Sequence, residues 1–293
     1  MGQDGQILSR LLKIKPINLY LLERKLIKTE KKIKLIQVDL KKKSQIQQTF
    51  SKIRPDIIVH LASNNPSFGE KNKKKFYNEN LIITKNLFDT VFKINSKAKF
   101  IFCSSSQIFK SKKGSVNEKS KTLSRTDYTK FRIESDRYML LFKKKFKIKY
   151  TNAILFNHDS IYRNKKFILP RIVNSILDKN YTFIKKILNE NIHGDFSHAE
   201  DICNGIVKLI FTDLNLDKVI FSSNKLTSLN LIIFSLLKKN KDNISIFKKN
   251  FINKKLNIIG DNKIAIKNLK WKIKKNIHIA ANELYSFYKI NYK

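Results

Sequence analysis

The chain has 293 residues, with 61 Lys+Arg against 23 Asp+Glu and a formal net charge of +38. Seven glycines and four prolines exclude a collagen-like or low-complexity chain; two cysteines, Cys103 and Cys203, exclude a disulfide scaffold and point to a reducing, cytoplasmic compartment. The balance of 42% hydrophobic and 29% charged residues is globular, and no apolar run reaches the ~18–20 residues of a membrane span.

At the start, Gly2 and Gly5 stand at G-x-x-G spacing directly before an amphipathic stretch, "MGQDGQILSRLL". Small residues there let a backbone approach a pyrophosphate, whose charge a helix N-terminus attracts. Such a turn needs a preceding strand, and its first glycine would fall before Met1. The expectation is a start upstream of Met1, or a truncated gene. "INLYLLE" (17–23) then reads as a buried strand and "SQIQQTFSKI" (44–53) as a helix with Ile46, Phe50 and Ile53 on one face. "DIIVHLAS" (56–63) is a strand introduced by Pro55, and "ENLIITKNLFDTVFKIN" (79–95) a long amphipathic helix. "AKFIFCSSS" (98–106) is a strand ending in three serines. "DYTKFRIESDRYMLLFKKKF" (127–146) is a second long helix, capped by Asp127, and "KYTNAILFN" (149–157) is a strand again. Strands alternating with helices of this length predict a parallel sheet with crossover helices. In such sheets ligands sit at the carboxyl ends of the strands, here Gly2–Gly5, Glu23–Lys25, Asp39, Ala62–Asn65, Ser104–Gln107 and Asn157–Ser160.

The charge is less informative than its size. Lysines number 53 and arginines 8, whereas phosphate recognition favours the bidentate fork of Arg. The lysines are dispersed among Ile and Asn, residues that share A/T-rich codons, so the surplus reads as compositional bias, with no dedicated nucleic-acid partner. The runs Lys41–Lys43, Lys73–Lys75 and Lys143–Lys145 read as solvated helix ends or loops. The five histidines do not cluster at metal spacing; His60 and His198 read as packing or hydrogen-bonding residues, Cys103 as core, and Trp271 as core of a C-terminal lobe.

Tyr128 opens a helix 23 residues after Ser105, with Arg132 one turn on, on the same helical face. A phenol beside a cation, with a serine hydroxyl nearby, is an acid/base arrangement for a substrate oxygen.

Taken in order, these segments resemble the extended short-chain dehydrogenase/reductase family of nucleotide-sugar epimerases and dehydratases. "GQDG" (2–5) is similar to the end of its glycine-rich turn, "QVDL" (37–40) to its Asp-containing strand end, and "HLAS" (60–63) to its cofactor-lining segment. "CSSSQIF" (103–109) resembles the strand with the catalytic hydroxyl, and "DYTKFR" (127–132) the Y-x-x-x-K helix start. "ILFNHDS" (154–160), "DFSHAEDI" (195–202) and "GDNKIAIKNLKWK" (260–272) resemble the substrate-binding parts, the first most closely those of the GDP-mannose 4,6-dehydratases.

The resemblance implies an α/β, doubly wound, Rossmann-like parallel sheet with its first strand missing and a smaller C-terminal substrate lobe. It implies one domain over residues 1–293, the cofactor part mainly 1–155 and the lobe mainly 156–293. It implies Ser105, Gln107, Tyr128 and Arg132 at the catalytic position. It implies Gly2, Gln3, Asp4, Gly5, Arg24, Asp39, Leu40, Leu61, Ala62, Tyr128 and Arg132 around NADP, with NAD as the alternative through Glu23. Asn157, His158, Arg163 and Arg171 would meet a nucleotide-sugar, GDP-mannose first, in a homodimer or higher homo-oligomer whose contact includes the second long helix.

Three departures accompany the missing strand. Gln107 stands where the dehydratases carry a Glu that removes the C5 proton. Arg132 replaces the family lysine. Gly194 stands where a nucleotide-binding Arg would precede "DFSHA". An epimerase or reductase of the family needs no elimination and keeps more of its chemistry; a catalytically degenerate relative is the further alternative.

Overall fold

The computed structural model describes residues 1–25, 33–63, 73–247 and 255–291. α1 (Gln3–Leu12) buries Ile7, Leu8 and Leu12, which recur at helical spacing. β1 (Leu19–Glu23) and β2 (Ile33–Gln37) pair in parallel, followed by α2 (Lys43–Ile53), β3 (Ile57–His60), α3 (Lys73–Ile94) and β4 (Lys99–Ser105). A 3-10 turn over Ser106–Ile108 and the short β5 (Gly114–Val116) lead to α4 (Asp127–Phe146), β6 (Lys149–Leu155) and β7 (Asn157–Asp159). The chain continues through α5 (Ile168–Leu177), α6 (Tyr181–Glu190), β8 (Ile192–His198), α7 (Ala199–Phe211), β9 (Lys218–Phe221) and β10 (Leu226–Ser228). It ends with α8 (Leu229–Lys239), β11 (Lys255–Leu256), β12 (Ile258–Gly260), α9 (Lys263–Leu269) and α10 (Ile277–Ile290).

The main sheet has the order β3-β4-β6-β9, all parallel. β4 shows why its sequence is a continuous apolar run. Phe100 and Phe102 enter the core under α2, α3 and α4, while Ile101 and Cys103 enter the opposite core with α1, α7 and Trp271. Phe88 of α3 meets Phe92, Phe100, Tyr138 and Tyr150 edge-on. On the other face, α7 packs closely because Gly205 faces the Phe221 ring; a Cβ there would lie 2.3 Å from a ring carbon. The C-terminal end of α7 is held by Lys99, whose Nζ donates to the carbonyls of Leu209 (2.9 Å) and Thr212. A third core gathers α5, α6, α8 and α10 around Phe196 of β8. β8 pairs with β7 and β11 in parallel and with β10 antiparallel, and β5 pairs with β12. Among the described residues, no helix is long and apolar enough to cross a membrane.

Several expectations are corrected. The α4 cap is Thr126, not Asp127: Thr126 and Thr129 bond reciprocally, and Asp127 is the first helical residue. α3 begins at Lys73, six residues before the expected start. The 149–157 strand divides, because β7 leaves the main sheet for β8. Trp271 lies under the main sheet, donating from Nε1 to the Asp201 carbonyl at 2.8 Å, and not in the C-terminal lobe. Lys143 is not solvated; it binds Asp217 at 2.7 Å and two backbone carbonyls. β1 is half-buried along its whole length instead of buried. Its only ladder among the described residues is with β2, and no described strand precedes α1 or joins β1 to β3. Both pieces nonetheless feed the same two cores. Leu19 and Val59 pack into the core with α1, and Leu22, Ile36 and Ile58 into the core with α2 and α3.

Candidate active site

The carboxyl end of β4 carries Ser104 and Ser105. Ser105 sits at the start of the 3-10 turn and its Oγ accepts from the Gln107 N–H at 3.3 Å. Gln107 itself is exposed. The reciprocal Thr126–Thr129 cap fixes the first turn of α4, which carries half-buried Tyr128. One turn later, Arg132 is only 6% exposed. Its Nη1 donates to the Cys103 carbonyl, its Nη2 to Ser63 Oγ at 3.1 Å, and its guanidinium lies 4.7 Å from the Tyr128 ring centroid. The arginine thus ties the end of β4, the segment after β3 and the tyrosine together, but its fork is engaged within the protein.

Beneath it, His60 bonds Thr84 Oγ1 through Nε2 at 2.9 Å, and that hydroxyl donates to the Asn80 carbonyl at 2.8 Å. Thr84 therefore accepts, and Nε2 carries the ring proton. Burial, and then the charge of Arg132, pull His60 down to about 3, so the ring is neutral.

A second group joins α1 to β7. Gly2 caps α1 with no side chain, leaving the N–H groups of the first turn without helical acceptors, and the space beside its Cα is open. The Asp4 carboxylate lies 3.0 Å from His158 Nε2, and His158 Nδ1 lies 2.6 Å from the Phe156 carbonyl. Gln3 donates to the His158 carbonyl at 3.2 Å and accepts from Ser160 Oγ at 2.9 Å. Burial opposes ionisation of Asp4, but the charge and hydrogen bond of His158 prevail and hold it down at about 2. Burial likewise opposes charge on His158, and Asp4 prevails and raises it. Asp159 is raised by burial despite Arg163, 3.1 Å away.

The remaining expected site residues divide by position. Asn157 is exposed at the start of β7, Leu61 is half-buried and Ala62 exposed beyond β3, and Asn64 and Asn65 lie outside the described residues. Asp39 accepts from Lys41 N–H at 3.0 Å, and the Leu40 carbonyl accepts from Asn86 at 3.3 Å. Arg24 is exposed after β1. Arg163 pairs with Asp159 and covers the Phe167 ring at 3.5 Å, while Arg171 stacks on Phe183 at 4.4 Å on the outside of α5. Gly194 sits in β8 opposite Thr227. Sequence reasoning missed Ser63 and the Cys103 carbonyl as the partners of Arg132. It also missed the Asp4–His158 pair, whose members are 154 residues apart. No local signal marks either.

A model of the NAD dependent epimerase/dehydratase family matches residues 1–218. A search of the curated proteins found no match. Among solved structures, UDP-glucuronic acid 4-epimerase from Bacillus cereus in complex with NAD is 17% identical, with TM-score 0.80 over 100% of this chain and 97% of that one. UDP-glucose 4-epimerase from Thermotoga maritima with UDP-glucose is 15% identical, with TM-score 0.81 over 100% and 97%. RMD from Pseudomonas aeruginosa complexed with NADPH is 15% identical, with TM-score 0.73 over 99% and 96%. At these identities the likeness is one of fold.

Proposed function

From the premise that the chain belongs to the NAD dependent epimerase/dehydratase family, we propose that it is a nicotinamide-dependent enzyme that oxidises and reduces a hydroxyl-bearing carbon of a nucleotide-sugar. The observation that carries this reading is Tyr128 in the capped first turn of α4, with the Arg132 guanidinium across its ring and tied to the Cys103 carbonyl at the end of β4. In this role the Tyr128 oxygen takes the proton of the sugar hydroxyl, and Ser105 Oγ shares the hydrogen bond to the same oxygen. Arg132 holds the tyrosine and keeps a positive charge beside it.

The chain's residues fit a dinucleotide at α1. The free first-turn N–H groups and the open space beside Gly2 suit a pyrophosphate, held by the backbone of Gly2, Gln3, Asp4 and Gly5. The Gln3 and Asp4 side chains face β7 instead. Asp39, Leu40, Leu61 and Ala62 would line the adenine side and the nicotinamide approach. Arg24 and Lys25, exposed after β1, favour the 2′-phosphate of NADP, and Glu23 is the residue that would favour NAD. Bound there, the nicotinamide supplies hydride acceptance and return.

Gln107 is an amide without usable basicity, so epimerisation or reduction ranks ahead of 4,6-dehydration. Asn157 is the side chain left to meet the substrate from β7; His158 positions the segment by holding Asp4. The exposed Leu141 and Phe146 of α4 suit a homodimer contact.

The test is incubation with NAD⁺ or NADP⁺ and UDP-glucose, UDP-glucuronic acid or GDP-mannose, followed by NMR and mass analysis of the sugar. An isomerised or oxidised product is expected, with Tyr128→Phe slowing turnover by roughly 10²–10⁴-fold. Loss of one water reinstates the dehydratase. Saturable binding without turnover would instead assign a binding-only relative, a reading favoured by the internal engagement of the Arg132 fork.

A further inference from the structure

The loop between β4 and α4 folds back on itself. Phe109 bridges Thr122 in antiparallel fashion, and Lys110 N–H donates to the Lys121 carbonyl at 2.7 Å. Lys110 and Lys121 are therefore directly opposite, and in an antiparallel pair opposite side chains share one face. Arg125 fixes the arrangement, donating to the Phe109 carbonyl at 2.9 Å and to the Lys110 carbonyl, and brings a third cation. Like charges directly opposite destabilise a pair.

The same lysines line a cleft of ≈ 430 Å³ with Ser111, Ser115, Val116 and Ser120. No carboxylate lines it, and no ion pair engages either lysine among the described residues. The neighbouring acids are occupied elsewhere: Glu118 accepts from the Ile220 N–H at 2.9 Å, and Asp261 pairs with Lys263 at 3.4 Å. The Ser115 hydroxyl has no protein partner among the described residues.

We propose that this cleft binds the phosphate group of a small phosphorylated molecule between Lys110 and Lys121. An anion there turns a repulsive pair into two charge-assisted contacts, and the Ser115 hydroxyl adds a neutral donor. The site stands on residues outside the proposed chemistry and does not depend on it.

The experiment is calorimetric titration of the full chain with inorganic phosphate, then with a hexose monophosphate, in a low-salt Tris chloride buffer. A saturable component is expected. It weakens at least about tenfold in K110A/K121A, persists in K110R/K121R and is unchanged in K185A/K186A, a charge-matched pair on α6. The unliganded K110A/K121A protein should melt no lower than the parent, since the like-charge contact is gone. Where the double variant does not fold, K121Q alone gives the same comparison. Absence of a saturable component overturns the proposal. So does equal weakening in K185A/K186A, which would reveal diffuse lysine attraction, or binding of random single-stranded DNA alone.

Discussion

Asp4 and His158 show how much one residue pair constrains. Asp4 stays ionised down to about 2 against its ordinary 3.8, so its contribution is present above 3.8 and is lost as pH falls toward 2. His158 is raised above its ordinary 6.5, so its contribution is full below 6.5 and fades as pH rises through the raised value. The pair supports the fold most between 3.8 and 6.5. We expect His158→Gln to lower the unfolding free energy by on the order of 2 kcal/mol near pH ~5, with a smaller gap near pH ~8. Urea titrations at both values check this; an equal gap would show that charge is not the cause. Gln107 is the second instructive residue. Gln107→Glu restores a carboxylate at the exposed turn after Ser105. Any elimination activity should rise, read as a product one water lighter; no gain would mean that Gln107 is not the limiting defect. The candidate residues themselves were legible in order and spacing. Their partners were not, because the Ser63 hydroxyl and the Cys103 carbonyl are common groups that only the packing of α4 against β3 and β4 selects.

At the scale of elements, the start of α4 links stability to the chemistry proposed for Tyr128. Its Thr126–Thr129 cap satisfies first-turn groups and at the same time fixes the turn carrying Tyr128. Thr126→Ala should cost about 1 kcal/mol in urea unfolding with an unchanged slope. It should also lower kcat more than it raises KM, because the loosened turn misplaces the phenol without touching nucleotide binding. Helices and strands of the sheet were visible as alternating apolar runs and amphipathic stretches. Boundaries were less so. Asp127 and Thr126 are both good caps, and the register of one residue is decided by where the Arg125 and Thr129 bonds close. The division of 149–157 into β6 and β7 was also hidden, since only the pairing of β7 with β8 separates them.

At the scale of the molecule, the +38 charge acts as a field more than as a site. Retention on random duplex DNA is expected at low ionic strength and should vanish near ~200 mM salt, as counterion release dictates. Gel-shift titrations across salt check it, and salt-resistant, sequence-selective binding would contradict the reading of the charge as compositional bias.

The sequence by itself determined the alternation of strands and helices, the parallel sheet with two covered faces, and the chain order of the motifs. These follow from local periodicity, residue size and turn chemistry, which need no partner elsewhere. Only the tertiary structure decided what each candidate side chain is free to do. It turned the Arg132 fork inward, joined Asp4 to His158 across the molecule, set β1–β2 apart from β3, and placed Lys110 opposite Lys121. Each depends on contacts between segments distant in the chain or on a loop's register, and a side chain's donors and charge reach outward only where such contacts leave them unsatisfied.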